Sequence, residues 1–303
     1  MKNTLITFLV LIVIGFGAYF VFKSPAGTPT SQEQTKATTP TDDSQKTSGE
    51  GVKTEDKSKT VIGKSIEGRD IVAYHYGAGT KEILFVGGIH GGYSWNTAKV
   101  AYETMDYLKE NSGVIPKDVK VTVIPVLNPD GLFKVVSTTE NFKSTDVNAS
   151  QAVQTAGRFN SNNVDINRNF DCSWQASAKW QSKTVSGGSA VFSEPESQAI
   201  KTYVEASKPT AVVAWYSSAG GVYSSSCDSG VSLETNAITN LYSKASGYPA
   251  YESFNVYETT GDMVNWLAKN NIPAISVLLT NHTDTEWVKN QKGIEALLKY
   301  YSK

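Results

Sequence analysis

Residues 83–96, ILFVGGIHGGYSWN, constrain the fold of this chain more than any other stretch. Four consecutive apolar residues from Ile83 to Val86 are too few for a helix and suit a parallel strand covered on both faces. Gly87 and Gly88 end the strand, and Gly91 with Gly92 let the backbone bend closely around His90. In an open α/β sheet, ligands collect outside the carboxyl ends of the strands, so His90 stands where a site is expected.

From Thr60 onward, short β-type runs alternate with helical ones. Residues 61–65 and 71–75 read as an opening hairpin, and 98–108 place Val100, Ala101, Met105 and Leu108 at helical spacing before Pro116. Strands are expected at 119–126, 211–215 and 275–279, and helices at 195–204, 233–246 and 287–301. This alternation predicts an α/β domain over residues 58–303, with a mixed, mostly parallel central sheet and helices on both faces.

The N-terminal part is different in kind. Residues 4–22 form an uncharged, nearly unbroken apolar run between Lys2 and Lys23, long enough to cross a bilayer as a helix. It lacks the short core and small-residue exit of a signal peptide, so residues 1–23 are expected to be a membrane anchor; secretion after cleavage near Ala26 is the alternative. Residues 24–57 are Ser, Thr, Gln, Lys, Glu, Asp, Pro and Gly with almost nothing apolar, and read as a disordered linker with a reach on the order of 30 Å. The overall balance of 28 Lys+Arg against 29 Asp+Glu shows no nucleic-acid footprint. Two cysteines, Cys172 and Cys227, are too few for a disulfide scaffold and lack a C-x-x-C spacing.

Four stretches together resemble one family, the zinc carboxypeptidases of the carboxypeptidase A type, peptidase family M14. They are Gly87-Gly88-Ile89-His90-Gly91, Asn128-Pro129-Asp130-Gly131, Val164-Asp165-Ile166-Asn167-Arg168-Asn169-Phe170 and Phe192-Ser193-Glu194-Pro195-Glu196. The opening Ile62-Gly63-Lys64-Ser65-Ile66-Glu67-Gly68-Arg69 is similar to that of bacterial members. The resemblance implies a carboxypeptidase-like fold with zinc as cofactor, and His90 matches its first zinc ligand. The second ligand, a glutamate, falls at Tyr93, or at Ser94 if the turn has one inserted residue. The third, a histidine, falls at Tyr216, and the general-base glutamate at Leu278. Two of three ligands and the base are therefore replaced. A single imidazole cannot hold zinc against solvent, and leucine takes no proton from a bound water.

The recognition side of the family pattern is kept. Asn167 and Arg168 match the residues that hold a substrate's terminal carboxylate, for which a planar guanidinium is suited. Tyr257 matches a mobile tyrosine that closes over the substrate, and Arg158 resembles the arginine that polarises the scissile carbonyl. His282 lies just past the lost base and is either a loop histidine or, with Asp284 or Glu286, part of a replacement site. Cys172 and Cys227 flank the implied groove and are expected to pair outside the cytoplasm. Glu194 and Glu196 read as dipole-compensating residues at a helix start.

These readings lead to an anchored, extracytoplasmic carboxypeptidase-like domain that recognises peptide or peptidoglycan-stem C-termini without hydrolysis, zinc being absent or weakly held. An active zinc carboxypeptidase with a rearranged metal site and a purely structural envelope protein are the alternatives.

Overall fold

The computed structural model describes residues 58–302, so the expected anchor and linker lie outside the described residues. Among these residues no helix is long and apolar enough to cross a membrane. The described part opens with β1 (Lys59–Lys64) and β2 (Asp70–Tyr76), the expected hairpin, followed by β3 (Lys81–Val86), α1 (Trp95–Glu110) and β4 (Val119–Ile124). Next come α2 (Pro129–Val136), α3 (Gln151–Ala156), a small hairpin of β5 (Ser177–Trp180) and β6 (Lys183–Ser186), and α4 (Pro195–Ser207). The last third holds β7 (Ala211–Ser217), β8 (Gly221–Ser224), α5 (Leu233–Ser246), β9 (Ala250–Tyr251), α6 (Met263–Lys269), β10 (Ala274–Leu279) and α7 (Trp287–Tyr301).

Eight strands form one sheet in the order β1-β2-β4-β3-β7-β10-β8-β9. β3 runs parallel to β4 and β7, and β7 runs parallel to β10, whereas β1, β2 and β8 enter antiparallel. Alternate residues of one strand supply two cores: Ile83 and Phe85 join the layer under α1, α5 and α7, while Leu84 and Val86 face α4 and α6. That two-sided burial is why the central strands read as continuous apolar runs. On the first face Trp215 stacks on Phe85 at 5.4 Å between ring centroids, and its indole N–H donates to Asn290 Oδ1 at 3.2 Å.

The sequence patterns missed α2, α3, α6, β8, β9 and the β5–β6 hairpin. α2 begins on the Asn128-Pro129-Asp130-Gly131 motif: Asn128 caps it by accepting from Gly131 N at 2.9 Å, with Pro129 in the first turn. The same Asn128 donates through Nδ2 to Arg158 O at 3.2 Å, so the cap also holds the loop before the Asp-x-Asn-Arg element.

Glu194 and Glu196 do more than compensate the dipole of α4. Both are buried, both accept from Asn160 Nδ2 (2.8 and 3.1 Å), and Glu194 also takes Asn162 Nδ2 at 2.9 Å. Burial pushes the Glu196 carboxyl above its usual range, with nearby Asp130 adding to the effect. The expected disulfide is present, joining Cys172 and Cys227 with Cα atoms 6.0 Å apart.

Candidate functional site

Because β3, β7 and β10 are parallel neighbours, their carboxyl ends open together at one edge of the sheet. A cavity of about 330 Å³ lies there, lined among others by His90, Arg158, Asn167, Arg168, Tyr216, Tyr257 and Leu278. His90, Tyr216 and Leu278 meet here for a topological reason, since each follows or ends one of these neighbouring strands, while Arg158, Asn167, Arg168 and Tyr257 come from the segments that connect other elements.

His90 sits in a turn clamped on both sides. Gly88 and Gly91 have φ of +60° and +41°, and a Cβ on Gly91 would lie 2.6 Å from Gly157 O. Glycine is therefore required by both backbone sign and space. Gly92 N donates to Gly157 O at 3.0 Å and Asn128 N to Gly88 O at 3.0 Å. The imidazole is buried, yet neither ring nitrogen has a hydrogen-bond partner. Burial, reinforced by the charges of Arg158 and Arg168, holds it well below the usual histidine value, so it is neutral near pH 7.

Tyr216 and Leu278 are register partners across β7 and β10 and form the floor. The Tyr216 hydroxyl donates to Asn167 Oδ1 at 3.3 Å, and burial holds its phenol well above the usual value. Of the two residues that the resemblance sets at the second ligand position, Tyr93 lines the cavity, its ring 5.0 Å from Trp180 and 4.5 Å from His282. Ser94 is buried at the start of α1 with its hydroxyl unpartnered.

The polar wall comes from the Asp165-Ile166-Asn167-Arg168 turn. Asp165 is fully buried; its Oδ2 accepts from Arg158 Nε at 2.9 Å and pairs with Nη2 at 2.8 Å, and its Oδ1 accepts from Asn167 N at 3.2 Å. Arg158 is thus anchored to Asp165, and its guanidinium carbon sits over Trp180, 4.4 Å from the ring centre. Asn167 is oriented from both ends, donating to Asp262 Oδ2 at 2.7 Å and accepting from Met263 N at 3.1 Å. Arg168 is buried and donates to two backbone carbonyls, Lys179 O at 2.9 Å and Asn167 O at 2.6 Å. These bonds pin the guanidinium, which has further N–H groups to offer a ligand. Gly261, with φ of +63°, passes so near that a Cβ there would lie 2.3 Å from Arg168 O.

Tyr257 packs on Phe254 at 5.0 Å and lies 5.9 Å from the Arg168 guanidinium carbon. Asp165, Trp180 and Asp262 went unnoticed as site residues in the sequence. For Asp165 a signal existed, since it opens the motif that singled out Asn167 and Arg168. His282 joins the cavity wall as a loop residue, and the alternative of a site shared with Asp284 or Glu286 does not form. Asp284 Oδ1 accepts from Glu286 N, while Glu286 accepts from Thr280 N, Tyr248 and Lys289. His282 faces Ser217 and Ser218 instead, at 2.8 and 3.4 Å.

Zinc is the metal that the motif resemblance implies, and it can be tested against these donors. The matched positions offer one neutral imidazole, a protonated phenol already bonded to Asn167, and a leucine, and the cavity's other imidazole, His282, is bonded to Ser217. Among the described residues no three His, Cys, Asp or Glu side chains are grouped as a metal would need. This set does not fit a hydrolytic zinc centre, which takes three deprotonated ligands and a water.

Comparison with known proteins agrees with the fold. No curated protein matches the sequence. Among solved structures, the murein-tripeptide amidase MpaA from Escherichia coli O157 superposes with a TM-score of 0.53 at 18% identity, covering 80% of this chain and 92% of that one. Bovine thrombin-activatable fibrinolysis inhibitor gives a TM-score of 0.62 at 17% identity, over 80% of this chain and 88% of that one. Carboxypeptidase A from Helicoverpa armigera gives 0.61 at 17%, over 80% and 66%. The zinc carboxypeptidase family model matches residues 53–297, most of the chain, and the protein therefore belongs to the zinc carboxypeptidase family, peptidase M14.

Proposed function

We propose that this chain is an anchored, extracytoplasmic peptide-binding member of its family, which holds a free C-terminal carboxylate and does not cut the peptide by the zinc route. The observation that carries the reading is Arg168. It is a buried guanidinium held by two backbone carbonyls, on a cavity wall shared with Asn167 and Tyr257. A pre-oriented cation in a concave, partly apolar cavity is suited to a carboxylate, because little freedom is lost on binding. Against this intact wall stand Tyr216 and Leu278, where a metal ligand and a base would be needed. Fold likeness to a murein-tripeptide amidase makes peptidoglycan stem peptides the first ligands to try. The anchoring half of the proposal rests on the uncharged run at residues 4–22.

Calorimetry with one peptide as free acid and as C-terminal amide tests recognition. The acid is expected to bind at least tenfold more tightly, and equal affinity would overturn the reading. Zinc-dependent release of a C-terminal residue, abolished in His90→Ala, would establish the active-carboxypeptidase alternative. Protease added to intact cells is expected to release the domain, and full protection would defeat the topology.

A further inference from the structure

Asn96, Ser217, His282 and Ser218 form a hydrogen-bonded chain whose direction can be read from its buried end. Asn96 is fully buried at the start of α1, and its Nδ2 donates to two backbone carbonyls, Asn281 O at 2.8 Å and Asp284 O at 2.9 Å. Both amide hydrogens are engaged, so Asn96 Oδ1 can only accept. Ser217 Oγ lies 3.2 Å from that oxygen and donates to it. With its proton committed, Ser217 meets the His282 ring nitrogen Nδ1, 2.8 Å away, as an acceptor. His282 therefore carries its proton on Nδ1 and a lone pair on Nε2. Ser218 Oγ is 3.4 Å from Nε2, on an exposed residue that lines the cavity.

We infer that Ser218 is an acyl-accepting nucleophile with His282 as its base, giving the chain a serine-type acyl-transfer activity towards esters and amides that enter the cavity. The arrangement has the three parts such a step needs: a hydroxyl, an imidazole whose free lone pair faces it, and a group that sets the tautomer. Here Ser217, itself oriented by Asn96, is the positioning residue. Burial, helped by the charge of Arg158, lowers the His282 value and keeps the ring neutral at pH 7, able to take a proton. Arg158 lines the same cavity and supplies positive charge for a developing oxyanion.

In the reaction, Ser218 Oγ bonds to the acyl carbon while its proton passes to His282 Nε2. The bond to the leaving alcohol or amine then breaks, and that group leaves with the proton from Nε2. Water, deprotonated by the same Nε2, releases the acid and restores the Ser218 hydroxyl. No zinc enters any step. The proposal is also independent of carboxylate recognition, since a neutral acylating or phosphonylating reagent needs no contact with Arg168.

The test uses the full chain and a neutral alkyl fluorophosphonate, which loses fluoride as its phosphorus bonds to the serine oxygen. One adduct, mapped to Ser218 by peptide mass spectrometry, is expected, with none in Ser218→Ala. His282→Gln should slow labelling by about 10²-fold or more. Ser217→Ala, which frees the tautomer, should slow it less and change its pH profile. The wild-type rate should rise with pH and level off below the usual histidine value. Near-UV circular dichroism matching wild type shows that each variant is folded. Absence of an adduct on the folded wild type, labelling elsewhere, or an unchanged rate in His282→Gln would each overturn the proposal. Peptide calorimetry on the same preparations reports separately on the carboxylate reading.

Discussion

His90 Nε2 lies 3.7 Å from Asp165 Oδ1, close enough to feel its charge but too far for a hydrogen bond. Asp165 is already committed to Arg158 and to the backbone of Asn167, so it cannot move to meet the imidazole. A buried polar ring is left with two unpartnered nitrogens, a state that costs stability and is relieved when a ligand supplies partners.

Replacing His90 by leucine, of similar size, is therefore expected to leave the free protein as stable as before or to stabilise it by about 1 kcal/mol. The sign of its pH effect follows from the lowered value. The unfolded chain binds a proton near pH 6.5 that the folded chain rejects, so wild-type stability falls as pH drops below that value. The slope from this one group is about 1.4 kcal/mol per pH unit until the folded value is reached. Denaturant unfolding at pH 7 and pH 5 should show a shallower acid loss in His90→Leu.

Truncating Arg168 to alanine should weaken binding of a free-acid peptide by about 1.5–3 kcal/mol, roughly 10- to 150-fold. Amidating the peptide should cost a similar amount, and the two changes together little more, because both remove one interaction. The variant should also lose stability, since the carbonyls of Lys179 and Asn167 lose a buried donor. Calorimetry on both proteins with both peptides, beside their unfolding curves, separates the effects.

Glu196 predicts the opposite pH behaviour. Its carboxyl is raised by burial, so ionising it in the folded state costs more than in the unfolded chain. Its contribution is intact below pH 4.5 and is lost as pH rises through the folded value. Glu196→Gln keeps an acceptor for Asn160 Nδ2 and removes the titration. The variant is expected to gain stability relative to wild type between pH 4.5 and 7, and a constant difference across that range would count against this account.

The Cys172–Cys227 bridge closes a loop with a sequence separation of 55. Chain-entropy arithmetic then gives about 4 kcal/mol, which Cys172→Ser/Cys227→Ser should lose in denaturant unfolding. Mass spectrometry of non-reduced protein should find no free thiol.

Much of the fold was legible in the chain because strands and helices report themselves locally. The run Ile83 to Val86 is apolar on consecutive residues because both faces of β3 are covered. The Asp-x-Asn-Arg element and the glycines around His90 likewise carried the family and the location of the cavity. The resemblance also set Tyr216 and Leu278 at the positions of a ligand and a base, and the structure brings both to the cavity. It could not choose between Tyr93 and Ser94, since one residue's shift in a turn decides which faces the cavity and which is buried. Nor could it find Trp180 under Arg158, or the partners of His282. The bonds from Asn96 to Asn281 and Asp284 span 185 and 188 positions. Such contacts leave no periodic trace: only the packing of β7 beside β10, with the 281–284 loop laid over the start of α1, brings the donors and acceptors within reach.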